Sequence, residues 1–393
     1  MKKIIFFNIP AHGHTNPTLE VVRELVSRGN KVWYYSYEIF REKIEATGAV
    51  FVSCDDYDME RKLSSEDIGK IGKDIAFSTK ILVDTTLCLD ENVSNAIRRL
   101  QPDCIVADSM ALWGKFAALK YGIPFVSSTT TFAFNKHSSR IMRQGAAEIL
   151  KMIISFPKIS KEVKRLQNNG YPVKTILDII RNDDNTDTIV YTSPQFQPYS
   201  ETFSDKYVFV GPSIRPVQTD IKKNKDKLIY ISMGTVNIDM MTFYKECVTA
   251  FTDTDYQVIM SVGNFVDIEQ FGMLPDNISV STYVDQIAVL QKADVFISHC
   301  GMNSANESLY FGVPLVMLPQ TTEQAGVAER INQLGAGIKA DISDINTIFA
   351  AAEDILNDKK YKSNADIISC SMKKCSGAKG AADKILRVCK NNT

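Results

Sequence analysis

Several common cofactor and metal signatures are missing from this chain of 393 residues. No Gly-x-Gly-x-x-Gly segment follows a strand-like run, which counts against an enzyme that binds a nicotinamide or flavin on this type of fold. The eight cysteines show no paired spacing, and Cys370 with Cys375 lacks the second pair or the histidines of a zinc site. The sequence therefore predicts reduced, mostly buried thiols and no bound cofactor.

An excess of charge of either sign is also missing. The net charge of −1 and the pI near 6.5 provide no field that would attract nucleic acid or anionic lipid. The apolar run after Lys3 is interrupted by His12 and His14 before it reaches the length of a signal peptide or a membrane span. We expect a cytoplasmic protein without stable membrane insertion. Residues 56–58 match a short Asp-x-Asp metal pattern, but they lie in a polar stretch and indicate a solvated loop, so no metal site is predicted.

The length and the order of strand-like and helix-like runs predict the fold class. A chain of this size exceeds what one core supports, and its hydrophobic content of 45% can supply two cores. Alternating strands and helices predict an α/β protein with two doubly wound, Rossmann-like domains facing a cleft. The strand-like runs include 31–36, 124–128, 188–192, 228–232 and 256–262. A proline-marked and then charged stretch suggests these boundaries: N-terminal domain 1–215, linker 216–226, C-terminal domain 227–376 and final helix 377–393.

Residues 296–308 are the most informative segment of the chain. They follow the pattern of a strand end, a tight turn and a helix start, with a helix over 303–311 that Gly312 ends. A helix N-terminus is an anion site, to which His299, Asn303 and Ser304 can add donors. Glu307 lies one turn further along, where a carboxylate can accept hydrogen bonds from ribose hydroxyls. The alternative is an ordinary strand-to-helix turn with Asn303 as the N-cap and Glu307 in solvent.

The flanking segments make a nucleotide site more specific. Residues 283–290 place an aromatic ring and polar side chains before this strand, and residues 314–324 place a second polar strand end after the helix. These groups are expected to converge at the carboxyl edge of a parallel sheet, where open α/β folds bind ligands.

Residues 283–324 resemble the donor-binding signature of family 1 glycosyltransferases, and the bacterial macrolide branch is the closer match. The resemblance implies that Tyr283 stacks on the base, the Val284 backbone reads the base edge, Gln286 approaches the ribose and Glu307 holds its hydroxyls. Two positions depart from the commoner pattern, since Tyr283 and Met302 stand where Trp is frequent. The diphosphate and the sugar would be held by a further set of residues, namely Gly13, His299, Gly301, Met302, Asn303, Ser304, Glu323 and Gln324.

The amino-terminal segment 4–17 also follows a strand, glycine-turn, helix pattern. Asn16 is suited to the N-cap and Pro17 to the first helical position, which places His14 at the tip of the turn. The chain has only four histidines, and three of them lie in the two proposed ligand turns, namely His12, His14 and His299. The clustering indicates a function for these side chains.

The resemblance implies that His14, and not His12, is the general base that removes a proton from an acceptor hydroxyl. A neutral imidazole is a weak base for an alcohol unless a carboxylate stabilises the imidazolium and fixes the tautomer. Asp108 ends a strand-like run at the same expected sheet edge, so we assign His14 and Asp108 as a catalytic dyad. The alternatives are a turn histidine bonded to backbone and a loop or N-cap aspartate.

Other implications of the resemblance concern the rest of the fold. Family members have two Rossmann-like domains in the arrangement called GT-B, with a last helix that crosses back to the first domain, here residues 378–389. Ser232 and Thr235 match the loop beneath the diphosphate, although a plain strand-to-helix turn explains them equally well. Side chains that could face an aromatic or macrocyclic acceptor, or could simply be core, are Phe77, Phe132, Phe134 and Met142.

Together these observations predict an inverting, metal-independent glycosyltransferase. It would move a hexose, glucose by resemblance, from a UDP-sugar to a hydroxyl of a macrolide, flavonoid or other phenol. A nucleotide-sugar epimerase, a non-catalytic nucleotide-sugar-binding protein and a membrane-associated lipid glycosyltransferase are the alternatives. The acceptor and the choice between a monomer and a weak dimer stay open.

Overall fold

The computed structural model describes residues 1–55, 74–135, 137, 146–175, 185–234 and 240–390. Two compact units are present, the first formed by residues 1–191, 199–213 and 376–393, and the second by residues 192–198 and 214–375. The main boundary falls between residues 213 and 214, slightly before the linker that the sequence suggests. Residues 192–198 group with the second unit, and no sequence signal pointed to this.

The first unit contains a seven-stranded sheet in the described part of the chain, with all pairs parallel and the order β3-β2-β1-β4-β5-β6-β7. Its strands and helices in chain order are β1 Lys3–Phe7, α1 His12–Ser27, β2 Lys31–Ser36, α2 Arg41–Glu45, β3 Val50–Ser53, α3 Ile75–Leu100, β4 Cys104–Asp108, α4 Leu112–Tyr121, β5 Phe125–Thr129, α5 Ala146–Asn168, β6 Thr188–Val190 and β7 Tyr207–Phe209.

The second unit contains a six-stranded parallel sheet in its described residues, in the order β10-β9-β8-β11-β12-β13. Its elements are β8 Lys227–Ser232, α6 Met241–Phe251, β9 Tyr256–Ser261, β10 Ile278–Ser281, α7 Gln286–Leu290, β11 Val295–Ser298, α8 Met302–Tyr310, β12 Leu315–Met317, α9 Thr322–Gln333, β13 Gly337–Lys339, α10 Ile345–Asn357 and α11 Lys359–Lys373. The last helix, α12 Gly377–Val388, belongs to the first unit.

These two parallel sheets confirm the predicted fold class of two Rossmann-like α/β units. Each unit has its own core, because helices cover both faces of a parallel sheet and the central strands are mostly apolar. Helix α12 packs against α1, and the Gly377 N–H donates to the Val210 carbonyl at 2.8 Å. None of the eight cysteines, all of which lie in the described residues, forms a disulfide, and five of them are buried.

The start of α1 differs from the prediction. The helix begins at His12 with Ala11 as its N-cap, so Asn16 is not the cap and Pro17 lies inside the helix. The proline has no N–H, and the helix therefore lacks the bond that residue 17 would make to the Gly13 carbonyl. His14 consequently lies in the first helical turn, where Asn8 donates its side-chain amide to the His14 carbonyl at 2.9 Å.

Candidate active site

The topology of the first sheet brings His14 and Asp108 together. Chain order reverses between β1 and β4, which are neighbours in the sheet, and ligands bind at such a switch point in open α/β folds. His14 follows β1 on the first turn of α1, and Asp108 is the last residue of β4. The distance between His14 Nδ1 and Asp108 Oδ2 is 2.8 Å. The two predicted residues of the dyad are therefore hydrogen-bonded.

The surroundings of the carboxylate hold it in one orientation. The Asp108 side chain is fully buried, whereas that of His14 keeps 19% of its surface exposed. The second carboxylate oxygen accepts the Met110 N–H at 2.8 Å. An ionised Asp108 next to Nδ1 places the ring hydrogen on that nitrogen, so Nε2 carries the lone pair and can accept a proton.

His12 has a different environment although it lies only two residues from His14. Its ring packs edge-on against Phe40, with ring centroids 4.9 Å apart. Burial, together with the charge of Lys43, holds the pKa of His12 below its usual value. No carboxylate pairs with His12 in the described part of the chain, and in this respect it differs from His14.

The second unit has a helix N-terminus without a side-chain cap at the switch point of its own sheet. Strands β8 and β11 are neighbours, and α8 begins directly after β11 with Gly301 as its N-cap. No side chain caps this end, so its backbone N–H groups and the helix dipole present a positive potential. The arrangement fits a phosphate group.

The ring of His299 is held between two glycines at this point. A Cβ atom at Gly234 would lie 2.6 Å from the ring Cε1, and one at Gly301 would lie 2.6 Å from Nε2. Only glycine at both positions leaves room for the imidazole, and Gly234 also has a φ of +77°. The ring can occupy this position because neither glycine has a side chain.

The electrostatic environment keeps His299 neutral. Burial lowers the pKa of His299 to about 4, although the polar backbone of Ser232 beside the ring acts in the opposite direction. Its Nδ1 atom is buried and has no hydrogen-bond partner in the described segments. A buried polar atom without a partner is uncommon in folded proteins, and this one lies beside a helix N-terminus that no side chain caps.

Glu307 lies one turn further along α8 and is linked to Gln286. Gln286 Nε2 donates to Glu307 Oε2 at 2.6 Å, and Ser304 Oγ lies 3.4 Å from the same nitrogen. Burial raises the pKa of Glu307 to about 7, while the Gln286 hydrogen bond and the charge of Arg215 act to lower it. A carboxylate that is held in place and poorly solvated is suited to accept hydrogen bonds from a ligand.

Comparisons with known proteins identify the family of this chain. A protein-family model described as erythromycin biosynthesis protein CIII-like, C-terminal domain, matches residues 245–376. An oleandomycin glycosyltransferase of Streptomyces antibioticus is 26% identical over 97% of this chain and 90% of its own. An NDP-glycosyltransferase of Bacillus licheniformis is 33% identical, with 98% of this chain and 97% of the relative covered. The chain belongs to the bacterial macrolide branch of the family 1 glycosyltransferases.

A solved structure extends this result to the fold. The crystal structure of the glycosyltransferase of kitacinnamycin matches with a TM-score of 0.85 at 26% identity, and 98% of each chain is covered. Our glycosyltransferase therefore has the GT-B fold and acts on NDP-sugars. No described helix has the length and apolar composition needed to cross a bilayer. In the described residues, no group of three or more His, Cys, Asp or Glu side chains could hold a metal ion.

Other predicted donor residues of the glycosyltransferase have varied environments. Tyr283 is 75% exposed, so one face of its ring is open to a base, and Val284 beside it is half-buried. Met302 is buried, which leaves its backbone N–H as the group that can reach a phosphate. Ser232 is buried at the end of β8, in register with Ser298 of β11. Gly13 is exposed in the first unit.

Two residues predicted to bind the transferred sugar lie at the start of α9. Glu323 is exposed. The Gln324 side-chain oxygen accepts the backbone N–H groups of Gln320 and Thr321, at 2.7 and 3.2 Å, as part of a capping box with Thr321. The oxygen of Gln324 is therefore used by the helix cap, and its amide nitrogen is the group that can meet a sugar hydroxyl.

The predicted acceptor residues are only partly described. Phe132 is buried with 6% exposure, whereas Phe77 and Phe134 are half-buried. Met142 and Thr235 lie outside the described residues, as do the aspartates at positions 56 and 58.

Sequence analysis missed three residues at these sites. The Thr130 hydroxyl lies 3.0 Å from His14 Nδ1. Gly234 borders the His299 ring, and Arg215 donates to Asp285, the N-cap of α7, at 2.6 Å. The position of Thr130 directly after β5 was a usable signal, because the ends of β4 and β5 lie side by side. The contact of Arg215 had no local signal.

Proposed function

We propose that this glycosyltransferase transfers glucose from UDP-glucose, with inversion, to a hydroxyl of a small hydrophobic acceptor such as a macrolide, a flavonoid or another phenol. The observation that carries the proposal is the 2.8 Å hydrogen bond between His14 Nδ1 and the fully buried carboxylate of Asp108. A buried carboxylate on one ring nitrogen makes the other nitrogen a competent base.

The reaction balances with His14 as the base. Nε2 takes the proton of the acceptor hydroxyl, and the oxygen attacks the anomeric carbon from the face opposite the nucleotide. The bond between that carbon and the diphosphate oxygen breaks, and UDP leaves with the electron pair. The imidazolium that forms is stabilised by Asp108, which stays ionised. Because attack and departure occur on opposite faces, the α-linked donor yields a β-linked product.

Negative charge develops on the departing diphosphate, and the start of α8 is suited to receive it. The backbone N–H groups of Met302, Asn303 and Ser304, in the first turn of α8, are already oriented, so little reorganisation accompanies charge development. The His299 ring, held by its two glycines, and the side chains of Asn303 and Ser304 add to this set. We assign the diphosphate to these groups.

The same unit supports a ribonucleotide donor. We assign the two ribose hydroxyls to Glu307, whose carboxylate Gln286 already holds in place. Tyr283 offers an exposed aromatic face for the base. We assign the glucose hydroxyls to Glu323 and to the amide of Gln324.

Product analysis tests the proposal directly. The purified protein is given UDP-glucose and a panel of phenols and macrolides, and products are identified by mass spectrometry. We expect at least one acceptor to gain a single hexosyl group, with a β linkage by NMR. Recovery of a different nucleotide sugar without any acceptor would instead indicate an epimerase. An α linkage would contradict the inverting mechanism.

The ribose assignment predicts discrimination against 2′-deoxyribose. Loss of one hydrogen bond to a charged carboxylate costs roughly 1.5 to 3 kcal/mol, so 2′-deoxy-UDP should bind at least about tenfold more weakly than UDP. Isothermal titration calorimetry with both nucleotides measures the difference. The Glu307→Gln variant serves as the control and should discriminate less. Equal affinities for the native protein would place Glu307 away from the ribose.

The pKa of Glu307 predicts that donor binding depends on pH. Ribose hydroxyls donate well only to the ionised carboxylate, and burial raises the pKa of Glu307 to about 7. The affinity for UDP-glucose should therefore rise as the pH increases through about 7, with proton release on binding below that pH. Calorimetry in buffers of different ionisation enthalpy measures the release. UDP-glucose is the suitable ligand, because each of its two phosphates carries one ester and one anhydride bond and therefore has no ionisation near neutrality. Glu307→Gln should abolish the release, and release that persists in this variant would assign the proton to another group.

A further inference from the structure

The imidazole of His14 has a second oxygen on its buried side. Thr130 Oγ1 lies 3.0 Å from His14 Nδ1, the same atom that contacts Asp108 Oδ2 at 2.8 Å. Thr130 follows the last residue of β5 and is only 3% exposed. Three separate elements, α1, β4 and the end of β5, therefore meet at one ring nitrogen.

Hydrogen-bond counting determines the role of this hydroxyl. Nδ1 carries one hydrogen when Asp108 is ionised, and it carries one hydrogen in the imidazolium as well. The hydroxyl cannot donate to a nitrogen that is itself a donor. Thr130 Oγ1 and Asp108 Oδ2 therefore both accept from Nδ1–H in a bifurcated hydrogen bond. The alternative, in which Thr130 donates to an unprotonated Nδ1, would point the nitrogen lone pair at the Asp108 carboxylate. The 2.8 Å distance between those two atoms is incompatible with that alternative.

Neighbouring hydroxyls of the same stretch have other partners. Ser128 Oγ donates to the Tyr191 hydroxyl at 3.2 Å, and Thr131 Oγ1 donates to the Phe132 carbonyl at 3.3 Å. The Thr130 hydroxyl, in contrast, forms its hydrogen bond with the imidazole of His14. Both acceptors on Nδ1 are buried side chains at or directly after strand ends, so both restrict rotation of the ring.

We propose that Thr130 is a positioning residue for the general base. Its hydroxyl, with Asp108, holds the His14 ring in the rotamer and tautomer that leave Nε2 available to the acceptor hydroxyl. The inference rests on the proposed function, because it presumes that His14 is the base. Thr130 does not itself touch the reacting atoms.

Two substitutions separate the hydroxyl from the volume of the side chain. Thr130→Val replaces the hydroxyl by a methyl group of similar size, and Thr130→Ser keeps the hydroxyl. Thr131→Val is the matched control, since it removes a neighbouring hydroxyl that bonds to a main-chain carbonyl. Each variant is assayed with UDP-glucose and two acceptors, an acidic phenol and a less acidic alcohol.

We expect Thr130→Val to lower kcat by about tenfold with the alcohol, the loss that corresponds to one buried hydrogen bond. The loss should be smaller with the acidic phenol, which needs less help from a base, and the donor KM should not change. Thr130→Ser should recover most of the activity, and Thr131→Val should stay near the native rate. A purely structural role would lower both acceptor rates equally and would also affect the donor KM.

Native turnover of Thr130→Val with the alcohol would overturn the inference, as would an equal loss with both acceptors. Thermal unfolding checks that the variants are folded, and Thr130→Ala provides a second variant in which the same dependence on the acceptor is expected. Failure of this inference differs from failure of the proposed function. If His14→Ala loses activity and Thr130→Val does not, only the role of Thr130 is wrong.

Discussion

Replacing His14 with alanine should lower the turnover of glucosyl transfer by about a hundred- to ten-thousand-fold, the usual contribution of a general base. Because we assign the nucleotide and the sugar to residues of the second unit, we expect the Kd for UDP-glucose to stay unchanged. The loss should be largest for weakly acidic alcohols and smallest for acidic phenols. Steady-state rates with both acceptor types, together with calorimetry of UDP-glucose binding, measure these effects.

His12→Ala is the matched control for this experiment. His12 lies on the same helical turn, but it packs on Phe40 and lacks the carboxylate partner that His14 has in the described structure. We expect the His12→Ala variant to retain most of the native activity. Any loss of activity should be accompanied by a lower melting temperature. A His14→Ala enzyme that turns over alcohols at nearly the native rate would remove His14 from the mechanism.

Replacing Asp108 with asparagine should have the second large effect. The amide is nearly the same size as the carboxylate, so the buried site can stay packed. An NH2 group that donates to Nδ1, however, favours the tautomer that carries its hydrogen on Nε2, which is then no longer a base. The charge that stabilises the imidazolium is also lost. By comparison with the equivalent change in serine proteases, we expect turnover to fall by about a thousand- to ten-thousand-fold.

Asp103→Asn is the control for this substitution. Asp103 precedes the same strand, β4, and pairs with Lys2 at 2.9 Å at the opposite end of the sheet. It should leave turnover nearly unchanged. The double variant His14→Ala with Asp108→Asn should be little worse than His14→Ala alone, since Asp108 acts through the imidazole. If the losses in turnover of the two single variants were fully additive in the double variant, Asp108 would have a role that does not depend on His14.

Strand ends were the part of the site that sequence patterns predicted well. The run 31–36 coincides with β2, and the runs before Asp108 and His299 end where β4 and β11 end. Apolar composition and a following turn determine these boundaries locally. Because the carboxyl ends of parallel strands share one edge, the order of strands was enough to expect His14 beside Asp108.

The start of α1 was predicted wrongly, and the reason is physical. An Asn-Pro pair is the local signal for an N-cap and a first helical residue. In the structure, Asn8 donates to the His14 carbonyl at 2.9 Å and to the Tyr34 hydroxyl at 2.8 Å, which holds an additional turn before Pro17. A contact with β2 therefore outweighs the local preference, and sequence spacing alone does not contain it.

The sequence by itself determined the fold class, since periodicity and strand order depend on neighbours along the chain, and its resemblance to family 1 glycosyltransferases indicated the family and the candidate site residues. Only the tertiary structure decided the hydrogen-bond partners, the available space and the pKa values of these groups. The bond between His14 and Asp108 joins residues 94 positions apart, and that between Thr130 and His14 joins residues 116 apart. Likewise, the space for the His299 ring and the raised pKa of Glu307 arise from packing and burial. Such properties depend on which atoms exclude water from a given point, and that is settled only when distant segments pack together.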